Sequence, residues 1–266
     1  MKLEVHHIRA LKSKRQLCEL NVQSVEQAAA AEAAGIEIIV SGYKAGLTAF
    51  RAAAPATHFC FGLVYGHPVN ADEAKRGAFD ALEAGADSIY CAMHYDVVAE
   101  LAKEGIPVVG HVGLIPQKAR LTGFRGFGKT VDEARAVMDA VRRYEDAGAF
   151  AVEMEVVAEP VATAISKITP LSVISMGSGA GCDVQYLFGV DVLGETRSRI
   201  PRHARVYETF ATEYDQLQLR RIAAFSAFRA DVAGGAFPTT SEIVTFDAAQ
   251  KDAFAAFLSD PRKKET

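Results

Sequence analysis

The stretch Gly105–Gln117, which reads GIPVVGHVGLIPQ, decides the fold. Pro107-Val108-Val109 is a short apolar run of the kind a buried parallel strand requires. It stops on Gly110-His111, and Gly113 and Pro116 punctuate the residues beyond. A histidine placed where a buried strand passes into a glycine-rich loop stands at the edge where α/β folds carry their chemistry. The alternative is a core histidine satisfied by a backbone carbonyl.

Outward from this stretch the chain repeats one cadence. Ser24 caps a helix running through Ala34 and stopping at Gly35, ahead of the strand Ile36–Val40. Asn70 caps a second helix ending at Gly85, followed by the strand Ser88–Met93. A third helix ends at Gly148 and feeds Ala149–Val156. The closings EAAGIE, EAGADS and EDAGAF are near copies, each an amphipathic helix, a glycine stop and a short apolar strand. Gln16–Val22, His58–Val64, Pro107–Val112 and Leu171–Met176 read as further strands, and Asp183–Val192 as a last strand or a loop with a short helix.

About eight strands alternating with helices close naturally as a single (β/α)8 TIM-type barrel of the α/β class. Its core is expected over about residues 15–200, with 201–266 a C-terminal helical extension whose long helix spans about Ala204–Val232. A doubly wound open sheet is the competing architecture, but no GxGxxG follows the first strand.

Composition narrows the partners. Net charge −4 supplies no electrostatic footprint for nucleic acid or an anionic membrane. Four cysteines without CxxC spacing argue against a zinc site or disulfide framework, and Cys18, Cys60 and Cys91 read as small buried thiols. No apolar h-region and no long apolar span is present, so a cytoplasmic location is expected.

Function in a barrel collects at the C-terminal strand ends. Glu153 and Glu155 share one face of AFAVEMEVV by strand alternation. A buried carboxylate there is costly unless paired or used. Glu155 is therefore either a general base or the partner of an arginine such as Arg120 or Arg125. Lys44, within SGYKAG after the second strand, is a Schiff-base amine, a fixed cation for a carboxylate or enolate, or a solvated loop lysine. The loop Gly177–Asp183, with Ser178, can offer backbone N–H groups to an anion. Tyr43 and Tyr90 can donate hydrogen bonds to a flat substrate or stack on it. His67 and His94 are within loop reach and read more readily as structural.

These segments together resemble one family. GIPVVGHVGLIPQ is similar to the GIPVMGHIGLTPQ segment of ketopantoate hydroxymethyltransferases. GFGKTVDEA resembles their GK–helix entry, EDAGAFAVEMEVV their EEAGAFAVVLECV strand, MGSGAGCDVQ their GIGAGxxxDGQ loop and GGAFP their GxFP. The likeness runs from about Ser24 to Pro238. It implies transfer of a one-carbon unit from 5,10-methylenetetrahydrofolate to 3-methyl-2-oxobutanoate, with a magnesium ion polarising the 2-oxo acid and a glutamate removing the C3 proton. That glutamate falls on Glu155. The resemblance also suggests a ring-like homo-oligomer.

The metal half does not carry over. Tyr43 replaces a metal-binding aspartate and Lys44 a substrate-binding serine; the second metal aspartate aligns near Leu63; Tyr90-Cys91-Ala92 stands for the family's KLE. Mg²⁺ prefers oxygen ligands and is not expected to be held as in the family. The leading reading is a ketopantoate hydroxymethyltransferase-like enzyme forming a C–C bond beside the keto group of a 2-oxo acid through an enolate. Glu155 is the base, and Tyr43, Lys44, Tyr90, His111 and Ser178 are the substrate-side residues. The alternatives are a C–C lyase or aldolase like the phosphoenolpyruvate mutase/isocitrate lyase group, whose KKCGH-like motif is missing, and a catalytically inactive binding barrel.

Overall fold

The structure, a computed structural model, describes residues 2–42 and 46–259. It divides into two compact units, Met1–Ala211 and Thr212–Thr266. The first unit opens with α1 (Val5–Leu11), β1 (Leu17–Asn21), α2 (Val25–Ala33), β2 (Ile38–Ser41), α3 (Leu47–Ala53) and β3 (His58–Gly62). It continues through α4 (Ala71–Glu83), β4 (Ser88–Tyr90), α5 (Tyr95–Lys103) and β5 (Val108–Gly113). A 3-10 turn over Pro116–Lys118 leads to α6 (Ala119–Thr122) and α7 (Val131–Asp146). β6 (Ala151–Glu155), α8 (Glu159–Ile168), β7 (Ser172–Met176), β8 (Val184–Phe188) and α9 (Gly189–Val192) complete it.

All eight strands are parallel neighbours in sequence order, and β8 pairs with β1 to close the barrel. The expected TIM-type (β/α)8 fold is what the chain adopts. The cadence works as local chemistry predicts. The Ser24 hydroxyl accepts from Gln27 N (3.2 Å) and the Asn70 side chain from Glu73 N (2.9 Å), so each helix starts with a satisfied amide. Helix α7 ends at Asp146, with Ala147 as its C-cap, and Gly148 at φ 86° turns the chain into β6. Asp183–Val192 resolves into a strand followed by one helical turn.

Strand alternation sorts the apolar side chains into two cores. Ile39, Phe59, Ile89, Val108, Val152, Met154 and Val173 point outward, into the layer shared with the helices. Ile38, Val40, Cys60, Val109, Ile174, Val184 and Tyr186 point inward and fill the barrel. Ile8 of α1 joins this inner cluster with Leu17 and Phe150, plugging the N-terminal end. Cys60 and Cys91 are buried as expected, and Cys182 is buried too, whereas Cys18, expected to be buried, is exposed; its place between Leu17 and Glu19 puts it on the outward face of β1.

No helix lies between β7 and β8. The loop Gly177–Asp183 runs back outside the sheet, tied down by Asp183, which pairs with Lys12 Nζ (2.7 Å) and accepts from Ser166 Oγ (3.1 Å) and Val173 N (2.9 Å). The second unit contains most of α10 (Phe210–Gly234) and α11 (Ala248–Leu258). None of the residues of these two helices is buried, and Leu219, Ile222, Phe225 and Phe228 are exposed. Among the described residues, no helix is long and apolar enough to cross a membrane.

Candidate active site

At the C-terminal mouth of the barrel lies a cavity of about 290 Å³ whose wall includes Asn21, Tyr90, His111, Glu153, Glu155 and Tyr186. Strand β6 supplies both carboxyl groups. Its residues alternate, so Val152 and Met154 enter the helix-facing core while Glu153 and Glu155 face the barrel axis, both buried. The strand ends sharply. Val156 adopts φ 51°, a left-handed conformation that a β-branched residue takes only when its surroundings force it. Here Val156 N donates to Met176 O (2.8 Å) and Val156 O accepts from Phe127 N (2.9 Å), which fix the turn just beyond Glu155.

The opening stretch GHVG is shaped around these carboxyls. His111 lies opposite Glu153 in the β5–β6 register, and Gly113 opposite Glu155. A Cβ at Gly113, already at φ 86°, would overlap the Glu155 carbonyl oxygen and sit 2.8 Å from Val157 Cγ2. A Cβ at Gly110 would sit inside contact distance of the Tyr144 ring, 2.6 Å from Cε1, so glycine there lets α7 seat against β5. Both glycines of the motif thus serve the placing of His111 and Glu155.

His111 is buried and fully engaged. Its Nε2 lies 2.9 Å from the Leu114 carbonyl oxygen, which can only accept, so Nε2 carries the hydrogen. Its Nδ1 lone pair accepts the Tyr90 hydroxyl proton at 2.7 Å. Glu153 Oε2 stands 3.3 Å from Nδ1 and Glu155 Oε2 3.3 Å from Nε2. The imidazole is held between two carboxyl groups in one tautomer. The two readings of His111 offered by the sequence, backbone-satisfied and site-facing, therefore both describe it.

The interior is acidic without a matching cation. Below Glu153, the carboxyl of Glu19 on β1 is fully buried, and its Oε2 has no hydrogen-bond partner. Burial pushes the Glu19 carboxyl up to about 8. Burial, then the charges of Glu19 and Glu155, hold the Glu153 carboxyl well above the usual carboxylate range. Burial likewise raises the Tyr90 and Tyr186 hydroxyls well above their ordinary value, so both remain proton donors. No lysine or arginine is among the described residues lining this cavity.

The structure brings Tyr90, His111 and Glu155 together. Tyr43 and Lys44 lie outside the described residues. Ser178 is fully buried in the exit loop. Its hydroxyl donates to Met154 O (2.7 Å) and accepts from Val157 N (2.9 Å), bracing the backbone on either side of Glu155. Arg125 pairs with Glu133 (2.7 Å), so the pairing of Glu155 is with His111. His94 caps α5, accepting from Asp96 N (3.4 Å), and His67 lines a separate cavity with Arg76. A larger cavity of about 550 Å³ lies along Gly177–Ala180 with Arg202 and His203, and among the described residues no carboxylate lines it. Glu153, Glu19 and Tyr186 are site residues that the sequence reading did not assign. Alternation had placed Glu153 beside Glu155, but the approach of Glu19 and Tyr186 depends on closure of β8 onto β1.

The magnesium site implied by the resemblance can be tested on the donor set. The two cavity carboxyls flank His111 rather than converge, and both nitrogens of His111 are engaged. Among the described residues no group of three or more His, Cys, Asp or Glu side chains is arranged to hold a metal ion. An oxygen-liganded Mg²⁺ does not fit these residues.

Comparison with known proteins gives a consistent pattern. The ketopantoate hydroxymethyltransferase family profile matches residues 48–240. A 3-methyl-2-oxobutanoate hydroxymethyltransferase from Pyrococcus furiosus is 31% identical over 256 residues, 87% of this chain and 88% of that protein. Another from Cenarchaeum symbiosum is 35% identical over 184 residues, 68% of each chain. Among solved structures, phosphonopyruvate hydrolase in complex with oxalate and Mg²⁺ aligns with a TM-score of 0.52 at 15% identity, covering 98% of this chain and all of that one. 2,3-Dimethylmalate lyase, a phosphoenolpyruvate mutase/isocitrate lyase superfamily member, aligns at 0.52 and 12% identity, covering 96% and 100%. At these identities the structures share the fold.

Proposed function

The chain belongs to the ketopantoate hydroxymethyltransferase family, and we propose that it forms a C–C bond at the carbon next to the keto group of a 2-oxo acid, through an enolate. Glu155 takes the proton from that carbon. Glu155 Oε2 packs 3.3 Å from His111 Nε2, whose hydrogen goes to Leu114 O, and Tyr90 donates to the other ring nitrogen, so the imidazole beside the base is held in place. Lys44 binds the substrate carboxylate, with Tyr43 beside it in sequence. The one-carbon donor is 5,10-methylenetetrahydrofolate, as in the family resemblance: water opens its methylene bridge to give formaldehyde and tetrahydrofolate, and the enolate carbon adds to the formaldehyde carbon, whose oxygen takes up the proton that Glu155 removed and becomes the new hydroxyl. The exposed apolar side chains of α10 and α11 support assembly into a homo-oligomer.

The observation that carries the reading is the buried Glu155–His111–Tyr90 chain at the barrel mouth. The test is solvent exchange at C3 of 3-methyl-2-oxobutanoate in D₂O, followed by proton NMR. Wild-type protein is expected to exchange this position, and Glu155→Gln to lose at least about 10²-fold of the rate, as removal of a general base does. Undiminished exchange in Glu155→Gln sinks the assignment.

A further inference from the structure

An enolate needs more than a base. Negative charge gathers on the keto oxygen as the C3 proton leaves, and something must meet it. The described residues do not fit a magnesium ion, and none of the described side chains lining this cavity is a lysine or arginine. With Lys44 given to the substrate carboxylate, the groups left among the described residues are neutral donors, and their hydrogen bonds help to tell them apart. The Tyr90 proton is held by His111 Nδ1 (2.7 Å) and the His111 Nε2–H by Leu114 O (2.9 Å). Asn21 stands beside the Tyr186 hydroxyl. Of the neutral donors left in the lining, Tyr186, Gln117 and Glu153, only Glu153 is on the strand that carries the base. It faces the cavity from the same side of β6 as Glu155, two residues deeper, and the His111 Nδ1 lone pair beside it is already filled by Tyr90.

We propose that Glu153, as a carboxylic acid, is the electrophile of this site: its O–H donates to the keto oxygen of the 2-oxo acid while Glu155 removes the proton from C3. This rests on the enolate reading of the site and deepens it. The step balances without another reactant. The C3–H electron pair becomes the C2=C3 bond, the carbonyl π pair moves to oxygen, and that oxygen takes the Glu153 proton wholly or in a short hydrogen bond. When C3 attacks its carbon electrophile, the C2=O bond re-forms and the proton returns to Glu153.

Two features of the surroundings favour a protonated Glu153. The groups facing it are Glu155 and His111 at the mouth, Tyr90 and Tyr186 at its sides, and Glu19 and Cys60 below, with no lysine or arginine among these described residues. The substrate is itself an anion, and a cavity with both glutamates ionised would repel it. Glu153 also marks this chain, because the resembling family strand, EEAGAFAVVLECV, carries a valine in its place.

The test uses full-length protein stripped with EDTA, the D₂O exchange of 3-methyl-2-oxobutanoate, and two substitutions. Glu153→Gln keeps a neutral donor of nearly the same shape and is expected to stay within about tenfold of wild type. Glu153→Leu removes the donor and is expected to lose about 10²- to 10³-fold in rate. Infrared difference spectra of unliganded Glu153→Gln against wild type at neutral pH are expected to lose a protonated-carboxyl C=O band, a readout that does not require Glu153→Leu to fold. Equal damage from both substitutions, no damage from Glu153→Leu, exchange that requires added Mg²⁺, or no such band each overturns the inference while Glu155 stands as base. No exchange in wild type with this or other 2-oxo acids overturns the enolate reading itself, and this inference with it.

Discussion

Replacing Glu19 by glutamine should flatten the pH dependence of folding. The Glu19 carboxyl is fully buried, one of its oxygens is unpartnered, and burial raises it from an ordinary 4.5 to about 8. In the unfolded chain this group ionises near its ordinary value; in the barrel it keeps its proton until about pH 8. Folding therefore binds one extra proton across that window. The stability Glu19 contributes is complete below the unfolded value, shrinks as pH rises, and is gone once pH passes the folded value. One proton is worth about 1.4 kcal/mol per pH unit, so wild type loses about 4 kcal/mol through Glu19 alone between about pH 5 and pH 8. Glu153 faces the same space and is raised partly by the Glu19 charge, so Glu19→Gln also relaxes Glu153, and the difference between the two proteins reports the coupled pair. Urea unfolding followed by far-ultraviolet circular dichroism suits a chain without tryptophan. Relative to wild type, Glu19→Gln should gain about 4 kcal/mol on going from about pH 5 to about pH 8. Parallel curves for the two proteins across that range refute the account of the buried acid.

Other outcomes rest on the same geometry. Tyr90→Phe removes the proton donor to His111 Nδ1; kcat should fall several-fold, as loss of a hydrogen bond of about 1 kcal/mol implies, and ¹⁵N NMR of His111 should show loss of the single tautomer. Lys44→Met should raise KM for the 2-oxo acid roughly 10- to 150-fold, matching about 1.5–3 kcal/mol for a charged hydrogen bond, with borohydride trapping no imine on the wild type. An adduct at Lys44 seen by mass would replace the counter-ion role with an imine. Gly113→Ala should destabilise by at least about 1–3 kcal/mol, from positive φ and overlap with the Glu155 carbonyl, and should cut exchange at C3; thermal melts and the exchange assay read the two effects separately.

Much of the fold was legible because the signals are local. A capped helix, a glycine stop and a short apolar strand recur with little variation, and each is fixed by a few neighbouring residues. The same holds for Glu155, a charge in an apolar strand, and for His111, between two glycines whose missing side chains make room for Tyr144 and the Glu155 backbone. Glu153 was legible only as a neighbour of Glu155. Its significance comes from Glu19 on β1 and Tyr186 on β8, which meet it only once the barrel closes. Ser178 shows the opposite limit. A hydroxyl in a glycine-rich loop reads as a ligand donor, and only the folded loop reveals that it bonds to Met154 O and Val157 N. Alternation gives the face a strand residue takes, whereas a loop hydroxyl has no such period to obey.

The central claim is spatial: a 2-oxo acid sits at the barrel mouth with its C3 hydrogen on Glu155. A crystal structure of the protein with 3-methyl-2-oxobutanoate tests this most directly. The account predicts C3 within about 3.5 Å of a Glu155 carboxylate oxygen, the distance of a near-attack arrangement, and the keto oxygen turned toward Glu153. A keto acid bound with C3 remote from Glu155, or seated instead in the cavity beside Arg202 and His203, contradicts it.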